Sequence, residues 1–317
     1  MKVLVTGANG FVGQFLCAEL LGQGNEVVSA VRHSKQSDDK LTVIGSIEKN
    51  TNWADALHQV DTIIHLAARV HVMSDKTVNP LAEYRKVNVE GTLNLAKQAA
   101  QAGVKRFIFI SSVKVNGELT QLGKPFTELN LPNPQDDYGI SKLEAEQCLL
   151  EIAQQTGMEV VIIRPPLVYG AGVKANFASL MRVIKKGIPL PFGAIYNKRS
   201  FVYVENLLSL IVCCISHPKA ANQVFLVSDG QDLSTTELLK ASAKALGVRL
   251  WLLPIPHKLI EFGAAILGKR GVAQRLCGSL QLDIAKASHL LGWKPPYTVE
   301  YGLKRTASSF VNDAKNK

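Results

Sequence analysis

Apolar and polar positions follow two different periods along the chain. Short β-branched runs at 3–6, 26–31, 62–66, 106–111 and 159–163 read as strands, and helical spacing falls between them at 11–22, 87–102 and 138–156. In the last of these helices Leu143, Leu149, Leu150 and Ile152 lie near a single helical face. Strands that are apolar throughout and alternate with helices predict an α/β fold, a doubly wound parallel sheet covered on both faces. After residue 164 the texture changes: Pro165, Pro166, Pro189 and Pro191 with scattered glycines mark loops. Strand character returns at 201–204 and 224–227, and helices are expected at 236–246, 258–267 and 283–291. The pattern predicts a sheet domain over 1–165 that takes back about 201–227, and a smaller C-terminal substrate-binding lobe built from 166–200 and 228–317. No internal repeat or linker interrupts it.

Composition narrows the class. A chain of 317 residues, 47% hydrophobic and 20% charged, has room for a large core and is not disordered. The net charge of +10 is concentrated near the end, where residues 240–317 hold 13 basic and 4 acidic side chains. Such an excess suits an anionic partner, whether a phosphorylated substrate, nucleic acid or a membrane surface, or simply a solvated face. No like-charge run and no aromatic–basic interleaving points to nucleic acid. Cys17, Cys148, Cys213, Cys214 and Cys277 form no C-x-x-C pair, which suits buried thiols in a reducing cytoplasm. No metal-ligand cluster stands out. The first residues run straight into a strand, which predicts no signal peptide and a cytoplasmic protein. The longest apolar stretch, 259–267, is far short of the ~20 residues of a membrane span and reads as a core helix. The basic flanks of 258–275 leave attachment to a membrane surface as a minor alternative.

The first candidate chemistry is Gly7-Ala8-Asn9-Gly10-Phe11-Val12-Gly13, a G-x-x-G-x-x-G turn after the first strand that opens a helix. Glycines there allow a tight turn and close approach of backbone to a pyrophosphate, and the helix start offers N–H groups and a positive dipole end. Gly7, Asn9, Gly10, Phe11, Val12 and Gly13 are therefore expected to bind a dinucleotide. At the end of the second strand, a carboxylate favours the free ribose of NAD and an arginine the 2′-phosphate of NADP. This chain has Arg32 there, with Lys35 nearby and no acid, so NADP is expected and NAD is the alternative.

The second is Tyr138-Gly139-Ile140-Ser141-Lys142, Y-x-x-x-K at the start of a long helix. Residues four apart share a face, so the ammonium is expected to lower the phenol pKa and ready it for acid–base work. Together with Asp61-Thr62-Ile63-Ile64-His65-Leu66-Ala67-Ala68, Asn88 in Val87-Asn88-Val89-Glu90-Gly91-Thr92, Ser111-Ser112, Arg164-Pro165, Val168-Tyr169-Gly170 and Leu291-Gly292-Trp293-Lys294-Pro295, these residues resemble the extended short-chain dehydrogenases/reductases of the NAD(P)-dependent epimerase/dehydratase type. The resemblance spans nearly the whole chain.

It implies a Rossmann-like domain for the nicotinamide cofactor and a lobe for a UDP-sugar. It implies Ser112, Tyr138 and Lys142 as catalytic residues: Ser112 orients the reacting sugar oxygen, Tyr138 is the acid/base, and Lys142 tunes it and holds the nicotinamide ribose. Leu66, Ala67, Ala68, Ser111 and Pro165 would also line the cofactor. Asn176, Phe177 and Arg199 would contact the diphosphate, Leu190 and Phe192 would flank the uracil, and Arg275 is a candidate second phosphate ligand without a distinctive motif. Asn88 and His65 are expected to be buried structural residues. The resemblance also implies a homodimer in which 87–102 and 138–156 pack against their copies, with Ala96, Ala99, Ala100 and Ala102 permitting close approach.

Three departures shape the expected activity. Val113 and Lys114 stand where sugar-nucleotide 4,6-dehydratases carry a carboxylate pair, so dehydration is not expected. Ser46 replaces an acid that takes the adenine amino group, and Val115-Asn116-Gly117 replaces Val-Tyr-Gly. The segments 111–118, 164–170 and 172–177 resemble bacterial enzymes of UDP-N-acetylquinovosamine synthesis. With Arg32, this favours NADP-dependent reduction of the C4 ketone of a UDP-4-keto-6-deoxy-N-acetylhexosamine. The alternative is a UDP-glucose or UDP-N-acetylglucosamine 4-epimerase with bound NAD. A non-catalytic NADP-binding regulator is a minor alternative, since such regulators usually lose the Tyr or Lys that this chain keeps.

Overall fold

A computed structural model describes residues 1–33, 41–70, 79–173, 175–268 and 270–315, the side chains of 175–176 and 313–315 excepted. The first half runs β1 (Lys2–Thr6), α1 (Phe11–Gly22), β2 (Glu26–Val31), β3 (Leu41–Val43), β4 (Thr62–His65), α2 (Pro80–Arg85), α3 (Thr92–Gln101), β5 (Arg106–Ile110), α4 (Asp137–Thr156) and β6 (Glu159–Arg164). There follow β7 (Leu167–Tyr169), α5 (Ala175–Lys185), β8 (Phe201–Tyr203), α6 (Val204–Ser216), β9 (Gln223–Leu226), α7 (Thr235–Leu246), α8 (His257–Ile266), α9 (Arg270–Cys277), α10 (Ala285–Leu291) and α11 (Val299–Lys315).

Seven strands form one sheet in the order β3-β2-β1-β4-β5-β6-β9, and every pairing in it is parallel. β7 and β8 make a separate parallel pair. Because side chains alternate along a strand, β1 feeds two cores at once. Val3 and Val5 join Leu16 and Leu20 of α1 and Leu207, Leu210 and Ile211 of α6 on one face. Leu4 joins Leu95 and Ala96 of α3 and Ala145 and Leu149 of α4 on the other. The sheet is thus doubly wound, as the strand pattern predicts. The order reverses between β1 and β4, so the crevice at the carboxyl ends of these strands is the natural ligand site.

Helix α4 is fixed at both ends. The Asp136 carboxylate accepts the Gly139 N–H at 2.8 Å, and Gly157 closes the helix at φ +75°. The expected helix at 87–102 is broken in kind: Lys86–Gly91 is a π-helical turn, and only from Thr92 is the helix α-helical. The wide turn lets buried Asn88 reach two neighbours described below. Two long helices, α6 and α11, carry no clear sequence prediction. α6 is largely apolar, with eight of its thirteen residues buried, and its less buried side carries only Glu205, Ser209 and Ser216 as polar residues, too sparse a stripe to mark the helix in the sequence. The expected core helix at 259–267 is a correction: it forms as α8, but none of its residues is buried. A run of this length cannot choose core over surface by hydrophobicity alone. No helix among the described residues is long and apolar enough to cross a membrane. Ala96 and Ala99, expected at a contact between copies, are fully buried inside their own chain, so they are unavailable for it.

Candidate active site

The glycine turn is built with no room to spare. Gly7 adopts φ +69°, and a Cβ there would lie 3.0 Å from the Ala67 nitrogen. A Cβ on Gly13 would fall 2.2 Å from the Gly7 carbonyl oxygen and 2.8 Å from Ala8 Cα. Gly10 N–H donates to the Gly7 carbonyl at 2.8 Å, and no side chain caps α1. The first N–H groups of α1, at Phe11 and Val12, therefore open beside Asn9 with no side-chain oxygen competing for them. Arg32 and His33 are exposed just past β2; Lys35 lies outside the described residues.

The opposite wall is tied to this turn. Ala67 N–H donates to Thr6 Oγ1 at 3.2 Å, and the same hydroxyl pairs with His65 Nδ1 at 2.7 Å. His65 Nε2 pairs with Thr92 Oγ1 at 2.9 Å. Burial, with the Lys142 charge adding to it, pushes the His65 pKa down to about 3. His65 is thus a neutral structural residue, holding Leu66, Ala67 and Ala68 in place from below. Asn88 does the same from the side. Its Oδ1 accepts the Arg69 N–H at 2.8 Å, and its Nδ2 donates to the Arg69 carbonyl at 3.0 Å and to Ser141 Oγ at 2.9 Å. Ser141 Oγ donates in turn to the Tyr138 carbonyl at 2.8 Å. One buried amide therefore couples the cofactor wall to the first turn of α4.

Ser111, Ser112 and Pro165 meet at the ends of β5 and β6. Ser111 N–H donates to the Ile163 carbonyl at 2.8 Å and Val113 N–H to the Pro165 carbonyl at 3.0 Å. Ser112 Oγ accepts the Lys114 N–H at 3.2 Å, which orients it at the start of a short 3₁₀ turn. The turn lies against α4: a Cβ on Gly139 would be 3.0 Å from the Lys114 carbonyl. This sets the turn that starts at Ser112 against the first turn of α4, which carries Tyr138. Lys114 is also ion-paired to Asp136 and, at 3.3 Å, to Glu118.

The electrostatics of the tyrosine and lysine differ from the sequence expectation. Burial raises the Tyr138 pKa, and the Asp136 charge adds to it. Burial also pushes Lys142 itself down to about 7. The ammonium lies 3.9 Å from the centroid of Phe109, and Glu146, one turn further along α4, opposes its neutralisation. Glu146 is in turn held by Arg164, with Nε–Oε1 at 2.9 Å and Nη2–Oε2 at 2.5 Å, both side chains nearly inaccessible. Asn88 is the buried structural residue expected from its motif, and Ser141 lies inside the Y-x-x-x-K segment with no role of its own expected there; Glu146 belongs to no motif singled out by the sequence. The only signal was that Tyr138, Lys142 and Glu146 are spaced four apart on one helix.

The residues expected at the sugar nucleotide divide into two groups. Arg199 is mostly buried, its Nη1 donating to the Gly278 carbonyl at 3.0 Å. Burial lowers its pKa, Glu118 opposes that, and Arg275 adds to it, so the two guanidinium groups and one carboxylate share a field. Through Glu118 this cluster reaches Lys114 and the 3₁₀ turn after Ser112. Phe177 and Leu190 face elsewhere. Phe177 is buried, stacked on Tyr169 at 5.3 Å, and Leu190 is packed with Ile184, Leu239 and Ala243. Phe192 is half-buried, its carbonyl accepting Thr236 Oγ1 at 2.6 Å. The Asn176 side chain lies outside the described residues.

A nicotinamide dinucleotide fits this arrangement. The three glycines let the turn fold so tightly that a Cβ on any of them would press on neighbouring backbone, which leaves the backbone of the turn bare of side chains at these positions, and Ser111 Oγ is buried with no hydrogen-bond partner among the described residues. Gly7, Asn9, Gly10, Phe11, Val12 and Gly13 could hold the pyrophosphate, and Leu66, Ala67, Ala68, Ser111, Lys142 and Pro165 could line the nicotinamide end.

Comparison with known proteins agrees with this reading. A profile of the "NAD dependent epimerase/dehydratase family" matches residues 3–228. The chain is 53% identical over 313 residues to a Vibrio cholerae UDP-glucose 4-epimerase, covering 98% of this chain and 95% of that one. Among solved structures it superposes on the Thermotoga maritima UDP-glucose 4-epimerase with UDP-glucose at a TM-score of 0.77, with 25% identity over 99% of this chain and all of that one. The NADPH complex of RMD from Pseudomonas aeruginosa matches at 0.72, with 26% identity over 98% of this chain and 99% of that one.

Proposed function

The chain belongs to the NAD dependent epimerase/dehydratase family, and from that premise we propose that it is a UDP-sugar 4-epimerase that keeps its nicotinamide cofactor bound. The observation that carries this reading is the 53% identity to a UDP-glucose 4-epimerase over nearly the full length of both chains, twice the 26% shared with the NADPH-bound RMD structure. It weighs against the reductase favoured by Arg32 together with the segments 111–118, 164–170 and 172–177.

When bound, the nicotinamide would supply the hydride acceptor and donor for C4. The chain's own groups move the proton and hold the sugar. Ser112 Oγ hydrogen-bonds the C4 oxygen, and Tyr138 takes the proton from that oxygen and returns it after the ring has turned over. A phenol whose pKa is raised by burial and by Asp136 is a competent donor for the return step. Lys114 engages Asp136 and so limits that negative charge at the moment the phenol must accept. Arg199 and Arg275 hold the diphosphate while the sugar rotates. Val113 and Lys114 supply neither a carboxylate base to take the C5 proton nor a carboxylic acid to protonate the C6 hydroxyl, so the ketone is not carried on to dehydration.

Residues 1–165 with about 201–227 are the cofactor-binding part in this reading, and 166–200 with 228–317 the sugar-nucleotide part. The chain works as a homodimer through the outer faces of α3 and α4, which light scattering at micromolar concentration tests. The test of function is conversion of UDP-glucose or UDP-N-acetylglucosamine, followed by proton NMR of the anomeric signal, with no cofactor added. Appearance of the C4 epimer, with NAD released on denaturation, supports the reading. Failure to convert either sugar, with NADPH oxidation on a UDP-4-keto-6-deoxy sugar, favours the reductase that Arg32 suggests. In that case Arg32→Asp should reverse the preference for NADPH over NADH.

A further inference from the structure

Helix α8 turns its apolar face outward. At 100° per residue, Leu259, Phe262 and Ile266 form one stripe, and they are 60%, 67% and 71% exposed. Leu267 beyond the helix end is 71% exposed, and Val272 on α9, which packs against α8, is 45% exposed. The inner side of α8 carries Ile260, Gly263, Ala264 and Ala265, all partly covered. This is the reverse of a helix that stabilises a lobe by burying its large side chains, and a monomer gains nothing from it.

The charges around the stripe are of one sign. Arg249, Lys258, Arg270 and Arg275 are exposed, and the single acid among the described residues of 249–277, Glu261, lies on the far side of the helix from the stripe. A second copy docking face to face would set these cations against their own images, which disfavours self-association here. An anionic surface satisfies both the cations and the apolar stripe. A short helix with large apolar side chains on one face and Lys and Arg at its borders is suited to lying in the headgroup layer of a membrane.

From this we infer that the Leu259–Phe262–Ile266 face of α8, flanked by Lys258 and Arg270, is a docking surface for anionic phospholipid bilayers. Arg275, which shares the field of Arg199, sits on the adjoining helix α9. Docking therefore sets the lobe that carries the basic cluster against the bilayer. The inference does not depend on which sugar, or which reaction, the site serves.

The test is co-sedimentation of the full chain with vesicles of phosphatidylcholine alone or with one-quarter phosphatidylglycerol. Binding at least tenfold stronger to the anionic vesicles, and weakened at high salt, is expected. Each cation near such a surface contributes about fivefold, so Lys258→Gln with Arg270→Gln should cost about 25-fold. Phe262→Glu with Ile266→Glu should abolish binding and leave turnover in free solution unchanged. In a Trp251→Phe background, Phe262→Trp should shift its emission to the blue on anionic vesicles. Equal binding to both vesicle types, wild-type binding by the Phe262/Ile266 variant, or no shift from Phe262→Trp overturns the inference. So does a fall from dimer to monomer in the Phe262/Ile266 variant, which would make this face a contact between copies.

Discussion

Two identical substitutions in one helix should have opposite outcomes. Gly13→Ala and Gly22→Ala each add one methyl to α1. At Gly13 that methyl would sit 2.2 Å from the Gly7 carbonyl oxygen, with Ala8 Cα and C the next nearest atoms at 2.8 and 2.9 Å. All three are backbone, so no side chain can swing aside, and overpacking of this kind costs about 1–3 kcal/mol. The glycine turn must move, and the first turn of α1 then draws back from the pyrophosphate. Each charge-assisted hydrogen bond lost there is worth roughly 1.5–3 kcal/mol, so two of them correspond to about 10²–10⁴-fold in cofactor affinity. At Gly22 nothing lies within 4 Å of the added methyl. Alanine there should be neutral or stabilise the helix by up to ~1 kcal/mol. The assay is nucleotide released per protomer on denaturation, a titration of the stripped protein with NAD and NADP, and a thermal melt. Wild-type cofactor content in Gly13→Ala, or a Gly22→Ala variant that loses cofactor, would refute the assignment of this turn to the pyrophosphate.

Tyr138→Phe keeps the ring against Tyr84 and removes the proton carrier, so turnover should fall by about 10²–10⁴ with cofactor binding intact; wild-type turnover would sink the mechanism. Glu146→Gln leaves the Arg164 guanidinium buried beside a neutral amide and should cost about 3–5 kcal/mol in urea unfolding, whereas Glu146→Met with Arg164→Met should recover most of it. A double variant as unstable as the sum of two singles would contradict that account. His65 stays neutral in the folded chain down to about 3 but takes a proton near 6.5 when unfolded, so its contribution is complete above pH 6.5 and is lost as pH falls toward 3. His65→Gln should flatten the stability-versus-pH slope in that window by up to ~1.4 kcal/mol per pH unit, and an unchanged slope between pH 6 and 4 would show that the ring is not held neutral.

The sheet was legible because its strands are apolar on both faces and its helices mostly follow with caps and periodicity. The 26–31 strand and the helix from 138 were expected within a residue of where they lie. The glycine turn and Tyr138–Lys142 were legible for a related reason: each is a local spacing whose geometry a strand–turn–helix or a single helix guarantees. What could not be read depends on contacts between distant segments. Lys114 meets Asp136 across a loop, Glu118 influences Arg199 from the other part of the chain, and Arg164 turns inward to Glu146. The tyrosine's acidity is not legible either, since four-residue spacing reports proximity but not burial, and burial dominates at both Tyr138 and Lys142. Apolar runs are ambiguous in both directions: the one in α6 is core, and the one in α8, which reads as core, is surface.

The place of β9 beside β6 has a consequence during synthesis. Strands β1 to β6 are all encoded by residue 164, but the strand that covers the outer edge of β6 ends only at residue 226. At the ~5–20 residues per second of translation, those 62 residues take roughly 3–12 s to emerge. For that interval Val160–Ile163, wholly buried in the finished protein, borders an unpaired strand edge, and the Arg106 guanidinium lacks the Cys214 carbonyl it will meet at 2.7 Å. An exposed apolar edge of this kind recruits other chains. The nascent chain is therefore most vulnerable to aggregation while the ribosome is reading the excursion between the two strands. A fragment cut after residue 165 would keep that vulnerability permanently, and a stable excised cofactor domain must carry β9 with it.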